Sequence, residues 1–315
     1  MESNYYWKKL TSHTTLLLNS ISDAIYISVL FIAYLFGKLF LSKKKSDLSV
    51  MDSISQLSTK VVRILGHNPG PFTLQGTNTY LVGSSNERIL IDCGESGVQS
   101  YVDDLIKALG DATITSIICT HWHQDHVGGI LDIFKHVTNG PVPVYKFERT
   151  DYPVTKEIIY NYITPGHVIK SPGVTLRCIA TPGHTSDHMS IYFEEEKSLF
   201  SGDCILGEGT SIFEDLHDYM HSLKILSNLN IIRIYPGHGK VIEKGLEKIS
   251  EYINHREKRE DEILETLKRL SIASCVRDIP WSVKLGAVNN VRKHLIKLEK
   301  ENRIRQIGFD NYCLK

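Results

Sequence analysis

The run Thr120-His121-Trp122-His123-Gln124-Asp125-His126 constrains this chain more than any other stretch, because three imidazoles and a carboxylate fall within six residues. Imidazole nitrogen and carboxylate oxygen are good ligands for zinc and its first-row neighbours. The cluster follows Thr115-Ser116-Ile117-Ile118-Cys119-Thr120, whose β-branched bias reads as a buried strand. Val127-Gly128-Gly129-Ile130-Leu131 then opens a helix to about Val137. The ligands thus sit on a loop between a strand end and a helix start. His121 and His123 alternate along an extended backbone and point to one side. Asp125 and His126 lie past the turn, toward a second ion. One zinc takes about four ligands, so each ion needs partners from elsewhere.

Three further stretches supply them. Thr175–Ala180 leads into Thr181-Pro182-Gly183-His184, Ser198–Phe200 into Ser201-Gly202-Asp203, and Ile231–Tyr235 into Pro236-Gly237-His238-Gly239. Each strand-like run ends in glycine followed by a ligand type. Glycine permits the sharp turn that projects the next side chain from a strand end. Four strand ends meeting at one sheet edge gather seven candidates: His121, His123, Asp125, His126, His184, Asp203 and His238.

This order, His-x-His-x-Asp-His followed by a lone His, Asp and His, resembles the metallo-β-lactamase superfamily. Asp92, ending Arg88-Ile89-Leu90-Ile91-Asp92, matches a further carboxylate of that pattern. The resemblance implies an α+β fold, a four-layer αβ/βα sandwich. It implies two zinc ions, with manganese or iron as alternatives. One is held by His121, His123 and His184, the other by Asp125, His126 and His238, and Asp203 bridges them.

Most other histidines (His13, His67, His136, His255, His294) read as solvated or structural. His188, four residues after His184, is expected to orient a ligand or contact substrate. The six cysteines are scattered, with no C-x-x-C, and read as buried free thiols. Alternation points Cys204 away from the neighbouring Asp203. The charge balance, 36 basic against 36 acidic residues, says nothing about partners.

Three regions differ in character. Residues 1–50 form an extension whose apolar segment, about 24–41, reads as a membrane anchor between Lys8-Lys9 and Lys43-Lys44-Lys45. A presequence, or a shorter product starting at Met51, is the alternative. Residues 51–255 carry every ligand. Residues 256–315 read as two helices and a β turn-back near Asn302–Arg305, the outline of a winged-helix domain. Seven basic residues (Lys284, Arg292, Lys293, Lys297, Lys300, Arg303, Arg305) run along this region. They form either a stripe that tracks phosphates or a solvated face.

A β-lactamase would usually carry Cys in place of Asp203, and the flavin-linked di-iron branch would replace His123. Glyoxalase II-like thioester hydrolases share the full ligand set. Longer stretches, residues 68–83, 200–210, 213–216, 235–239 and 294–301, resemble the mitochondrial endoribonuclease branch. That resemblance implies a single-stranded RNA substrate, cut at phosphorus by water that the two ions activate. It places the protein in the mitochondrial matrix, whereas an anchor at 24–41 would place it on the cytoplasmic face of a membrane. Asp125 would aim the water, and His188 or a metal-coordinated water would protonate the leaving oxygen. Tyr219 would either stack a base or, with Leu216, Leu223 and Leu226, form a helical core stripe.

Overall fold

The computed structural model describes residues 48–151, 157–267, 281–308 and 311–315. The apolar segment 24–41, His13 and Cys275 lie outside the described residues. Among those described, no helix is long and apolar enough to cross a membrane. The architecture below is that of one compact unit, Ser49–Pro69 with Gln75–Lys315; Gly70–Leu74 belongs to a second.

Two mixed sheets carry the fold. The first has seven strands in chain order: β1 (Ile54–Gln56), β2 (Val61–Leu65), β3 (Asn78–Val82), β4 (Glu87–Ile91), β5 (Thr113–Ile118), β6 (Val144–Lys146) and β7 (Tyr160–Tyr162). Its first three pairings are antiparallel and the last three parallel. The second sheet runs β12 (Arg233–Pro236), β11 (Ser198–Gly202), β10 (Met189–Phe193), β9 (Val174–Ala180), β8 (Val168–Ser171). Only β11 and β12 pair in parallel there.

Side-chain parity sorts these strands into layers. Odd and even positions face opposite sides of a sheet. Ile89 and Ile91 of β4, Tyr80 and Val82 of β3, and Ile118 of β5 share one buried cluster with Ile191 and Phe193 of β10, Phe200 of β11 and Tyr235 of β12. That cluster is the layer between the sheets. Leu81, Leu90 and Ile117, of opposite parity, pack against helices α1 (Gln99–Leu109) and α3 (Ile130–His136). Tyr192, Leu199 and Ile234 pack against α4 (Leu216–Ser227) and the start of α5 (Gly245–Leu267). Strands buried on both faces read as near-continuous apolar runs, which is why these runs are so plain in the sequence. The result is the expected helix–sheet–sheet–helix sandwich.

Two local expectations change. The helix after the metal-ligand run begins earlier, as α2 (Gln124–Val127), so Asp125 and His126 lie on a helical turn rather than a loop. Gly128-Gly129 then separates α2 from α3. A Cβ on Gly129 would stand 2.1 Å from the Cys93 carbonyl oxygen, so only glycine lets this corner approach the end of β4.

The C-terminal region is not marked off as a separate domain. Helix α5 runs unbroken through residue 255, with Ile249 and Tyr252 in the catalytic-side core. Its Ile263 joins Val291, Leu295 and Leu298 of α6 (Trp281–Lys300) and Ile304 of the hairpin β13 (Ile304–Gly308)–β14 (Asn311–Leu314). Much of the expected basic stripe is engaged internally. Lys297 pairs with Glu260 and Glu301, Arg303 with Glu260, and Lys300 with Asp215, while Lys293 donates to the Glu214 carbonyl. Tyr219 is fully buried and donates to the Cys204 carbonyl at 2.6 Å, so it is core and cannot stack a base.

Candidate metal centre

The seven ligand-type residues converge at one edge of the sandwich. His121, His123, His184 and Asp203 form one group of mutually close ligand atoms, and Asp125, His126 and His238 form another. In the first, His123 Nδ1 lies 2.9 Å from His121 Nε2 and 3.1 Å from His184 Nε2. In the second, Asp125 Oδ2 lies 3.2 Å from His126 Nε2 and 3.3 Å from His238 Nε2.

Asp203 links the two groups through different oxygens. Its Oδ2 is 3.5 Å from His184 Nε2, and its Oδ1 is 3.4 Å from His126 Nε2 and 3.3 Å from His238 Nε2. Two ligands on one tetrahedral zinc, each about 2.0–2.1 Å from it, stand about 3.3 Å apart, so these spacings suit a shared ion. Buried polar atoms normally have partners, yet His126 Nε2 and Asp203 Oδ1 are buried and make no hydrogen bond. Both face the Asp125–His126–His238 group, where a cation would satisfy them; the first group is supported by its ligand spacings. The residues present therefore fit a binuclear site.

Behind the ligands sits a layer that fixes their tautomers. Asp92, buried, accepts from the Thr120 backbone N–H at 2.8 Å, from Thr120 Oγ1 at 2.9 Å and from His126 Nδ1 at 2.8 Å. Thr120 Oγ1 in turn accepts from His121 Nδ1 at 3.0 Å. His184 Nδ1 donates to the Ile212 carbonyl at 2.6 Å. Each of these bonds occupies Nδ1 and leaves Nε2 for a metal. Thr77 Oγ1 donates to Asp125 Oδ2 at 2.9 Å. Neither threonine is a metal-ligand type, so residue identity did not mark them; only their adjacency to the motif segments could have.

Of the two roles expected for His188, orienting a ligand and contacting substrate, its contacts fit the first. It is fully buried, its Nε2 accepts from the Asp203 backbone N–H at 3.1 Å, and its Nδ1 bonds Thr181 Oγ1 at 2.9 Å. With both nitrogens spent inside the protein it holds the Asp203 backbone and cannot serve as proton donor to a leaving group. Cys204 points into the core behind the second sheet, away from the ligands. His67 pairs with Asp104 at 2.7 Å, His136 and His255 are exposed, and His294 is buried.

The electrostatics are those of a cation trap. Burial alone would raise the Asp125 and Asp203 carboxyls, but the facing imidazoles of His126 and His238 hold both well below the usual range. Burial opposes charge on His238, yet Asp203 and Asp125 push it up to about 9. Burial and its histidine neighbours depress His123 to about 4. Without metal, protons on His126 and His238 thus stand in for cations. The folded His238 value exceeds the unfolded 6.5, so its contribution is complete below pH 6.5 and disappears as pH rises through about 9. We expect the thermal midpoint of metal-free protein to fall by several degrees between pH 6.5 and 9.5, and the zinc-loaded protein to show no such fall. Metal uptake near pH 7 should release about two protons, seen by indicator dye in weak buffer.

A sheet sandwich with a histidine–carboxylate site at its edge, able to hold two ions that activate water, defines a metal-dependent hydrolase. Residues 72–238 match the family model of the metallo-beta-lactamase superfamily. The chain is 48% identical over 277 residues to a beta-lactamase-like protein 2 homolog of Caenorhabditis elegans, covering 84% of this chain and 93% of that protein. It is 42% identical to the Drosophila melanogaster homolog, covering 82% and 94%. The crystal structure of a beta-lactamase domain protein from Burkholderia ambifaria superposes with TM-score 0.71 at 17% identity, covering 85% of this chain and 95% of that one. The chain belongs to the metallo-beta-lactamase superfamily.

Proposed function

We propose that this hydrolase is an endoribonuclease acting on single-stranded RNA. The observation that carries the hydrolytic part of this reading is the joining of both ligand groups by Asp203, with each oxygen turned to a different group. In-line displacement at phosphorus suits a pair of ions, which supply a nucleophilic water near neutral pH and neutralise charge on the phosphoryl oxygens. Support for RNA as substrate comes from the likeness of segments 68–83, 200–210, 213–216, 235–239 and 294–301 to the endoribonuclease branch, and from near full-length relationship to the beta-lactamase-like protein 2 homologs.

The chain's own residues have divided tasks. His121, His123 and His184 would hold one ion, Asp125, His126 and His238 the other, and Asp203 both. Asp125, among the ligand types that face solvent most, can accept a hydrogen bond from the attacking water and aim it. Thr77 holds the Asp125 carboxylate in place for this. Proton return to the leaving oxygen falls to solvent at the open face, since His188 is enclosed. In this reading helices α5 and α6 with the β13–β14 hairpin would act as a winged-helix-like element lying against the RNA. The mitochondrial matrix is the compartment this reading favours, with residues 1–50 as presequence.

The test sets a labelled single-stranded oligoribonucleotide against S-lactoylglutathione, each with and without chelator. We expect oligonucleotide cleavage that chelator abolishes and zinc or manganese restores, with thioester turnover at least about 100-fold lower in kcat/KM, a gap of about 2.7 kcal/mol in transition-state stabilisation. Rapid thioester hydrolysis beside intact RNA would replace this reading with the glyoxalase II-like one.

A further inference from the structure

The segment Ser211–Asp215 joins the metal centre to the C-terminal helices, and its contacts run in both directions. On the metal side, Ser211 Oγ donates to the Asp203 carbonyl at 2.5 Å, and the Ile212 carbonyl accepts from His184 Nδ1 at 2.6 Å. Two adjacent residues thus hold two ligands of the first group. Farther along, the backbone N–H groups of Glu214 and Asp215 donate to the Gly183 carbonyl, at 2.7 and 3.0 Å, fixing the turn just before His184.

On the other side stands Arg256 of α5, a residue only 5% exposed. Its Nη2 donates to the Ser211 carbonyl at 3.0 Å, and its plane covers the Phe213 ring at 4.9 Å. Lys300 of α6 meets Asp215 at 2.5 Å, and Lys293 caps the Glu214 carbonyl. Burying a guanidinium is costly unless it is well bonded. A guanidinium donates in fixed directions, and here one of its donors meets the Ser211 peptide while another side-chain bond joins it to Tyr219.

We propose that Arg256 is a positioning residue of the metal centre, setting His184 and Asp203 through the Ser211-Ile212 peptide from outside the ligand-bearing region. A tautomer-fixing acceptor such as the Ile212 carbonyl matters to affinity, because partners behind metal ligands commonly account for 10–100-fold in metal binding. Arg256 acts one bond further back, on the backbone that carries that acceptor. It touches neither ion nor substrate.

The test measures metal affinity on the full chain, by chelator competition with zinc and by the visible absorption of cobalt. Arg256→Met should weaken one of the two ions by about 10-fold and change the cobalt band of that site, with the other ion kept. Arg256→Lys, which keeps a donor and the charge, should restore most of the loss. The thermal midpoint of metal-free protein separates this from loss of packing, which would lower the midpoint and leave affinity per folded molecule untouched. Should Arg256→Met fail to fold, Ser211→Ala removes the hydroxyl's bonds to the Asp203 and Ile212 carbonyls on the same peptide segment and should show the same selective weakening. Two ions bound as tightly as in the parent, with an unchanged cobalt spectrum, in any folded variant of either site would overturn the proposal.

Discussion

Replacing Asp203 by Ala should reduce metal content from two ions per chain to one or none and lower turnover at least a thousandfold, about 4 kcal/mol of transition-state stabilisation. Two divalent cations about 3.5–4 Å apart repel strongly, and an anionic oxygen bridge offsets that repulsion. Asp203 reaches both groups, at 3.5 Å from His184 and at 3.4 and 3.3 Å from His126 and His238. Its backbone is separately anchored by His188 and Ser211, so the substitution removes the carboxylate without releasing the loop. Asn should be milder in metal retention than Ala, because an amide oxygen still ligates, but it lacks the charge. The measurements are metal per chain by elemental analysis and kcat on the same folded sample. A variant with two ions and parent-like turnover would show that the bridge is not what pairs the ions.

The ligand types were legible in the sequence for two reasons: four crowd into one run after a strand, and the other three each follow a strand that ends in glycine. His184, Asp203 and His238 each follow a run that becomes β9, β11 or β12. What could not be read is whatever acts through a generic group. Ile212 contributes a carbonyl, Ser211 and Thr77 a hydroxyl, and no residue type announces that. Long-range pairing was equally hidden. On sequence alone Lys297 and Lys300 could track phosphates or face solvent; α5 instead sets Glu260 against Lys297, and Asp215 at the start of α4 meets Lys300. His188 left several roles open on type alone, orienting a ligand, contacting substrate or passing a proton, and only burial with both nitrogens engaged assigns it to holding Asp203. The layers fared better than the boundaries, since parity of apolar residues specifies which face is buried whereas nothing in α5 marks residue 255 as an edge.

Gly183→Ala should be among the most damaging single changes in the chain, although it adds one methyl group. Gly183 adopts φ +130°, a conformation L side chains rarely take, and a Cβ there would lie 2.4–2.5 Å from the Tyr219 N, Cα and Cβ atoms. The two penalties are of different kinds. The backbone conformation costs about 1–3 kcal/mol for a residue with a side chain. The collision is with helix backbone at a fully buried tyrosine, which cannot rotate aside, so either α4 or the His184 turn must shift. Together they should reach roughly 3–5 kcal/mol, a large part of a typical folding margin of about 5–15 kcal/mol. Gly97 provides the control, since it too has positive φ, +75°, but a Cβ there meets nothing within 4 Å. Gly97→Ala should therefore show the conformational cost alone, about 1 kcal/mol. At about 1.5–2 °C per kcal/mol for a chain of this size, the metal-free Gly183→Ala protein should melt roughly 5–10 °C below the parent and the Gly97→Ala protein only about 2 °C below. Because the displaced turn carries His184, the Gly183 variant should also lose an ion that the Gly97 variant keeps. Equal melting and equal metal content in the two would mean that α4 does not press on this turn, and the close packing of helix against ligand loop would have to be abandoned.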